Sequence, residues 1–211
     1  MRVEGVLCDL DGVLVDSTPA ITRCWRRFAE RHSLDWDLID RTIHGRPARE
    51  SIDLLVPGAD VEAEAALLDD WEVADTADVR ALPGALELRA RVPEQRFAVV
   101  TSCNERLARA RLAAAGIEPP TALVTFDSVR AGKPAPDCYL EGARLLGLPP
   151  ERCLAIEDAP FGLQAARAAG TMTAAVTTTH TADQLEADIV LSSLTDLTVS
   201  FAWPRTGSGS G

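Results

Sequence analysis

Near its N-terminus the chain reads Val6-Leu7-Cys8-Asp9-Leu10-Asp11-Gly12-Val13-Leu14, an apolar run that ends in two aspartates. Residues two positions apart on a strand lie on the same face, so the Asp9 carboxylate can stand at the mouth of a pocket. Gly12 then allows the backbone to turn sharply away. The two carboxylates repel each other and lose hydration unless a cation or a proton offsets their charge. By itself the stretch is also compatible with two solvated acids at a strand end.

Strands and helices are predicted to alternate along most of the 211-residue chain. Short apolar runs predict the strands, and apolar residues at helical spacing predict the helices between them. Such alternation is typical of an α/β fold, with a Rossmann-like parallel sheet as its core and helices on both faces. In these sheets ligands bind at the carboxyl ends of the strands. The predicted strands are Arg2–Cys8, Phe97–Val100, Ala122–Phe126, Cys153–Ile156, Met172–Val176 and, at an edge, Ile189–Leu191.

The segment between the first two of these strands has a different pattern. From Ser33 to Arg80 it is polar, acidic and helical, and nothing in it is typical of a strand. A helix is expected to begin at Ser17-Thr18-Pro19, with a serine or threonine cap and proline in the first turn. We predict an inserted all-helical domain over residues 17–80 and a core domain, which contains the sheet, formed by residues 1–16 and 81–200. Residues 204–211 are expected to be a flexible tail.

The composition narrows the classes of partner. The formal net charge is −11 and no basic cluster is present, which argues against nucleic acid or an anionic membrane as partner. Five cysteines without paired spacing fit a reducing compartment better than a disulfide framework or a zinc site. No apolar run is long enough to span a bilayer and no signal peptide is evident. We therefore expect a cytoplasmic protein, a monomer or weak homodimer, that acts on a small molecule.

Three further polar groups follow predicted core strands. Thr101-Ser102 follows the second strand, Lys133 lies between Gly132 and Pro134, and Glu157-Asp158 follows the fourth. Carboxylate oxygens are ligands that Mg²⁺ prefers, and the lysine, which is the only one in the chain, can bind phosphate or hold a carboxylate ionised. The simpler alternatives are a surface lysine, a solvated acidic turn, and a Ser102 side chain that only caps the next helix.

A phosphoryl group would use all of these residues. Asp9 would attack phosphorus and form an aspartyl-phosphate, and Asp11 would protonate the leaving alcohol and later deprotonate water. Mg²⁺ would neutralise the charges of the carboxylate and the phosphate and so bring them together. Thr101 and Lys133 would hold the equatorial oxygens. Catalysis of this kind rests mainly on positioning and electrostatics.

In this order and context the residues resemble the four motifs of the haloacid dehalogenase superfamily of phosphatases. The motifs are Asp9-Leu10-Asp11-Gly12, Thr101, Lys133 before a proline, and Glu157-Asp158. The helical insert is similar to the small cap of the beta-phosphoglucomutase-like branch. The resemblance implies a nucleophile at Asp9 and an acid/base at Asp11. It also implies Mg²⁺ held by the Asp9 side chain, the Asp11 backbone carbonyl and Asp158, with Glu157 assisting.

The resemblance also points to candidates for binding the substrate. The substrate loop of the family's cap corresponds to residues 44–50 here, which contain Gly45, Arg46 and Arg49. Ser102 and Asn104, after the second core strand, are further candidates. Each arginine is equally compatible with a solvated position on a helix, and His44 is interpreted as a turn residue. Within the branch the chain looks most like the glycerol-phosphate and sugar-phosphate phosphatases.

Three functions are compared. The first is a Mg²⁺-dependent phosphatase of small sugar or polyol phosphates. The second is a phosphomutase on the same site, but the mutases of this branch carry a histidine about where Ile21 stands, and no histidine lies between Asp11 and His32. The third is a non-catalytic phosphate-binding or regulatory module, which predicts losses among the motif residues, and none is lost. The first function is therefore favoured.

Overall fold

A six-stranded parallel sheet forms the centre of the protein in the computed structural model, which describes residues 3–43 and 47–198. The described strands are β1 (Gly5–Cys8), β2 (Val15–Asp16), β3 (Arg80–Ala81), β4 (Phe97–Val100), β5 (Ala122–Val124), β6 (Cys153–Glu157), β7 (Met172–Val176) and β8 (Ile189–Leu191). The sheet order is β5-β4-β1-β6-β7-β8, and β2 pairs with β3 apart from it. The predicted α/β fold with a parallel core sheet is confirmed.

The position of β1 in the middle of this sheet decides where the site lies. Leu7 is in register with Ala98 of β4 on one side and with Ala155 of β6 on the other. All three strands run in the same direction, so their carboxyl ends meet at one edge of the sheet. The sheet therefore brings together the residues that follow β1, β4 and β6, although they are far apart in the sequence.

Helices cover both faces of the sheet, as expected for alternating strands and helices. They are α5 (Ala85–Arg91), α6 (Glu105–Ala114), α7 (Asp137–Leu145) and α8 (Pro160–Ala168). Apolar side chains of α5 and α6 pack with Val6 and Cys8 of β1, whereas those of α7 and α8 pack with Leu7. This division follows from the alternation of side chains along a strand, which sends neighbouring residues to opposite faces.

Four of the described helices lie between β2 and β3 and share a hydrophobic cluster of their own. They are α1 (Thr18–His32), α2 (Trp36–Ile43), α3 (Ala48–Leu55) and α4 (Val61–Ala74), and we call them the cap helices. Phe28 of α1 is fully buried in this cluster and stacks edge-on against Trp25 at 5.2 Å. The antiparallel pair of β2 and β3 joins them to the core, with Asp16 opposite Arg80.

The structure corrects several element boundaries. The prediction that residues 33–80 contain no strand is wrong at Arg80, because a two-residue strand is too short to show an alternating pattern. The predicted strand over residues 122–126 ends at Val124, and a 3-10 turn follows from Phe126. A 3-10 turn over Ala182–Gln184 precedes β8.

Some predictions fall outside the described residues. These are the strand start at Arg2, the loop residues His44, Gly45 and Arg46, the end of the predicted core segment at residues 199–200, and the tail over residues 204–211. Across residues 3–43 and 47–198, no helix has the length and apolarity that a membrane span requires.

The separate core of the cap helices can be tested with two neighbouring residues of α2. Ile39 is fully buried in the cap cluster, whereas the side chain of Leu38 is 44% exposed. We expect Ile39→Ala to lower the free energy of unfolding by about 2–5 kcal/mol, because it leaves a cavity. Leu38→Ala should cost less than about 0.5 kcal/mol. Urea denaturation measures both, and equal losses would contradict a packed core around Ile39.

Candidate active site

A buried lysine lies at the centre of the site. The Lys133 ammonium donates hydrogen bonds to Asp9 Oδ1 at 2.8 Å, to Glu157 Oε1 at 2.6 Å and to the Val100 carbonyl at 3.2 Å. Its three protons are therefore all used by groups at the carboxyl ends of β1, β4 and β6. Burial alone would lower the pKa of Lys133, but the charges of Asp9 and Glu157 raise it well above its ordinary value. The lysine thus holds two carboxylates, which was one of the alternatives that the sequence left open.

Three carboxylates gather beside this lysine. Asp9, Glu157 and Asp158 offer oxygen atoms that all lie within 4.8 Å of one another, and all three residues are buried. Burial and the charge of Glu157 raise the pKa of Asp9 to about 7, although Lys133 opposes the shift. Burial and the charges of Glu157 and Asp9 likewise raise the pKa of Asp158 well above its ordinary value. One ammonium does not balance three carboxylates at this edge of the sheet.

The Glu157 carboxylate has hydrogen bonds on both oxygens. Lys133 and the Tyr139 hydroxyl donate to Oε1, each at 2.6 Å, and the backbone N–H groups of Asp158 and Ala159 donate to Oε2. A Cβ atom at Gly162 would overlap this carboxylate, so a residue with a side chain cannot stand there without displacing it. These contacts suit Glu157 for orienting Lys133 rather than for a free position as a metal ligand.

The Asp158 carboxylate is held by Thr179, not by Lys133. The Thr179 hydroxyl donates to Asp158 Oδ2 at 2.5 Å, which leaves Oδ1 without a donor among the described residues. Gly12 has φ +77°, and a Cβ atom there would overlap the Asp158 carboxylate. The glycine after the second aspartate is therefore required for two reasons, the left-handed backbone and the close approach of Asp158.

The second aspartate of the N-terminal stretch has a different environment. The Ser17 hydroxyl donates to Asp11 Oδ1 at 2.6 Å and Arg111 donates to Oδ2 at 2.7 Å. The Asp11 carboxylate is thus not part of the acidic cluster, and only its backbone carbonyl was implied as a metal ligand. Ser17 stands at the N-cap position of α1 but makes no side-chain cap, because its hydroxyl bonds Asp11 instead.

Arg111 is the functional candidate that the sequence analysis missed. It lies on α6 with a side chain only 3% exposed, and it bridges Asp11 to Glu72 of the cap helix α4, with both distances at 2.7 Å. Burial, opposed by Arg111, raises the pKa of Glu72 to about 7. The sequence does contain a pattern that could have indicated this pair, because each helix has a charged residue in its apolar stripe. Arg111 follows Leu107 by four positions, and Glu72 follows Leu68 by four.

The residues that follow β4 have separate roles in the structure. Thr101 is buried and its hydroxyl accepts from the Cys103 N–H at 3.1 Å, while Ser102 is exposed at the cavity. Asn104, not Ser102, caps α6, because its Oδ1 accepts from the Leu107 N–H. The alternative that Ser102 caps this helix is therefore wrong. The Asn104 amide also donates to Asp69 of α4 at 2.6 Å.

A cavity of about 430 Å³ lies between the acidic cluster and the cap helices. Asp9, Asp11, Thr101, Ser102, Lys133, Glu157 and Asp158 line its core side. Arg49 does not line it, because its guanidinium pairs with Glu62 and stacks over the Phe126 ring, and Ala48 faces the cavity in its place. Gly45 and Arg46 lie outside the described residues. The described cap side chains that line the cavity include Ile21, Trp25, Ile43, Ala48, Asp69 and Glu72.

The acidic cluster fits a divalent cation. Its donors are carboxylate oxygens, which Mg²⁺ prefers, and it has more negative charge than Lys133 balances. Asp9 and Asp158 have oxygens available for such an ion. The raised pKa values of both groups show that the negative charge is unfavourable in the absence of a further cation.

Comparison with known proteins identifies the family. Residues 3–170 match the haloacid dehalogenase-like hydrolases. The chain belongs to this family. The resemblance based on the four motifs is therefore confirmed, and the protein is an enzyme of the hydrolase class.

The following relatives and solved structure each cover 80% or more of the chain. The sequence is 43% identical to hexitol phosphatase A of Escherichia coli, over 95% of each chain. It is 31% identical to the fructose-1-phosphate phosphatase YqaB of Escherichia coli, over 80% of this chain and 94% of that one. CbbY of Rhodobacter sphaeroides, solved in complex with phosphate, is 26% identical, with a TM-score of 0.78 over 93% of this chain and 97% of that one.

The buried arginine can be tested by comparison with an exposed one on the same helix. Arg111→Met should lower the free energy of unfolding by about 3–5 kcal/mol, because it leaves Asp11 and Glu72 without their shared cation. Arg109→Met removes the same charge from a side chain that is 53% exposed, and it should cost less than about 0.5 kcal/mol. Both are measured by urea denaturation. A loss below about 1 kcal/mol for Arg111→Met would show that the bridge does not stabilise the fold.

Proposed function

We propose that the protein is a Mg²⁺-dependent phosphatase that hydrolyses small sugar or polyol phosphate monoesters through an aspartyl-phosphate. The observation that carries this proposal is the buried Asp9 carboxylate, held by Lys133 at the mouth of a cavity, with Asp11 two residues further on. Hexitol phosphatase A and the fructose-1-phosphate phosphatase are relatives named for substrates of this class. Residues 17–80 would form the cap that encloses the substrate.

In the first half of the reaction Asp9 is the nucleophile. One of its oxygens attacks phosphorus, and the bond between phosphorus and the alcohol oxygen breaks. Protonated Asp11 gives its proton to the leaving alcohol, which departs neutral. Lys133 keeps Asp9 oriented through Oδ1, and the Thr101 hydroxyl lies at the same edge of the sheet to hold a phosphoryl oxygen.

In the second half Asp11 acts as the base. It takes a proton from water, the resulting oxygen attacks phosphorus, and the acyl-phosphate bond breaks to regenerate the Asp9 carboxylate and release phosphate. Ser17 and Arg111 hold the ionised form of Asp11, since each donates a hydrogen bond to one of its oxygens. Asp11 gives up one of these contacts when it carries the proton.

Asp9 and Asp158 would hold Mg²⁺, with the Asp11 backbone carbonyl completing the protein ligands. A bound Mg²⁺ neutralises the charges of the nucleophilic carboxylate and of the phosphate. Glu157 would act through Lys133, because both of its oxygens already accept hydrogen bonds. The cap helices would exclude bulk water from the cavity.

The role of Asp9 is tested by an isosteric change. Asp9→Asn should lower the rate of phosphate release from mannitol 1-phosphate by more than about 10³-fold, because the amide is not a nucleophile. Circular dichroism should show an unchanged fold. Asp53→Asn makes the same charge change at an exposed position and should leave the rate unchanged. A turnover of Asp9→Asn within tenfold of the unaltered protein would remove the nucleophile assignment.

The metal site is tested without relying on activity. Mg²⁺ in excess should raise the Tm of the unaltered protein, because a ligand that binds only the folded state stabilises it. Asp158→Asn should abolish this shift, whereas Asp53→Asn should keep it. In parallel, EDTA should stop phosphate release and Mg²⁺ should restore it. A full Tm shift in Asp158→Asn would place the ion elsewhere.

A further inference from the structure

The cap helix α4 presents two acids to the cavity, one helical turn apart. Asp69 and Glu72 both line the cavity opposite the acidic cluster, and positions three apart on a helix lie on the same face. Asp70, between them, lies outside the cavity, where it pairs with Arg106 and is 61% exposed. Of the three acidic side chains on this turn of α4, those of Asp69 and Glu72 therefore line the cavity.

Each cavity acid uses one oxygen for a contact with α6. Asp69 Oδ2 accepts from the Asn104 amide at 2.6 Å, and Glu72 Oε2 accepts from Arg111 at 2.7 Å. Within residues 3–43 and 47–198, no donor bonds the second oxygen of either carboxylate. A carboxylate has about four lone-pair sites, so each acid keeps capacity to accept hydrogen bonds from a bound molecule.

The charge balance of the cavity is unfavourable for a second anion. Among the described residues that line it, the lysine and arginine side chains are those of Lys133 and Arg111. Each already pairs with two carboxylates, Lys133 with Asp9 and Glu157, and Arg111 with Asp11 and Glu72. The described wall around α4 therefore offers a partly buried carboxylate, Asp69, and no unpaired cation.

On the basis of the proposed phosphatase function, we infer that Asp69 and Glu72 determine the substrate class of this cavity. They accept hydrogen bonds from the hydroxyl groups of a neutral polyol or sugar chain, and they repel a second phosphate or carboxylate on the same molecule. The cavity consequently selects monophosphates over bisphosphates. Specificity of this kind comes from the repulsive contact as much as from the attractive one.

Mannitol offers a matched pair of substrates for the test. The molecule is symmetric end to end, so mannitol 1-phosphate and mannitol 1,6-bisphosphate present the same reacting group and differ only in the second phosphate. The measured quantity is the ratio of kcat/KM for the two compounds, corrected for the two equivalent phosphates of the bisphosphate. In the unaltered protein this ratio should favour the monophosphate by at least about tenfold.

The decisive variants are Asp69→Asn and Asp70→Asn. Each removes one negative charge from the same turn of α4, but only Asp69 lines the cavity. Asp69→Asn should raise kcat/KM for the bisphosphate about tenfold, which corresponds to about 1.4 kcal/mol of relieved repulsion. Asp70→Asn should leave both the ratio and the rates unchanged. Glu72→Gln provides a second variant and should shift the ratio in the same direction.

The outcomes separate this inference from the proposed function. If the unaltered protein hydrolyses neither mannitol 1-phosphate nor p-nitrophenyl phosphate, the phosphatase function fails. If it hydrolyses both but Asp69→Asn and Asp70→Asn give the same ratio, the specificity role of the α4 acids is overturned. If Asp69→Asn lowers the rates on all three compounds equally, Asp69 is structural and the inference is also overturned.

Discussion

The ion pair between Lys133 and Asp9 is the interaction on which the rest of the site depends. A buried ammonium is costly unless carboxylates and a carbonyl surround it, and here they come from three neighbouring strands. The same lysine fixes Glu157, and the backbone N–H groups after Glu157 fix the turn that carries Asp158. Lys133 therefore links the positions of Asp9 and Glu157, and Glu157 in turn holds the backbone of Asp158, so none of the three acids is positioned by its own strand alone.

Arg111 repeats this arrangement at the boundary with the cap helices. It too is buried between two carboxylates, one in the core and one on α4. Removal of Arg111 would leave both carboxylates without their shared cation, so the bridge ties the placement of Asp11 to the placement of α4. Asp11, the proposed proton donor, and the α4 wall of the cavity are thus held by the same guanidinium. A shift of the cap helices would therefore change the contacts of the Asp11 carboxylate through Arg111.

The cavity that Lys133 and Arg111 line has a distinctive set of polar groups. Among the described residues that line it, Lys133 and Arg111 are already paired and the Asp69 carboxylate can accept further hydrogen bonds, while the hydroxyls of Thr101 and Ser102 can both donate and accept. A molecule rich in hydroxyl groups would donate hydrogen bonds to the Asp69 carboxylate, and under our inference a second anion would be repelled. Because the protein has a net charge of −11, a phosphate ester depends on local positive charge, which Lys133 and a bound Mg²⁺ would supply beside Asp9.

The sequence by itself determined the α/β alternation, the helical insert and the residues that meet at the carboxyl ends of β1, β4 and β6. These features depend on local patterns and on the geometry of parallel sheets, which hold wherever such strands occur. The tertiary structure alone decided which groups each side chain contacts. Ser17 has the local pattern of an N-cap but bonds Asp11, Asn104 rather than Ser102 caps α6, and Arg111 pairs across 39 residues with Glu72. Such pairings are long-range and depend on how α4 lies against α6. A local pattern carries no information about that arrangement, so only the folded chain could show it.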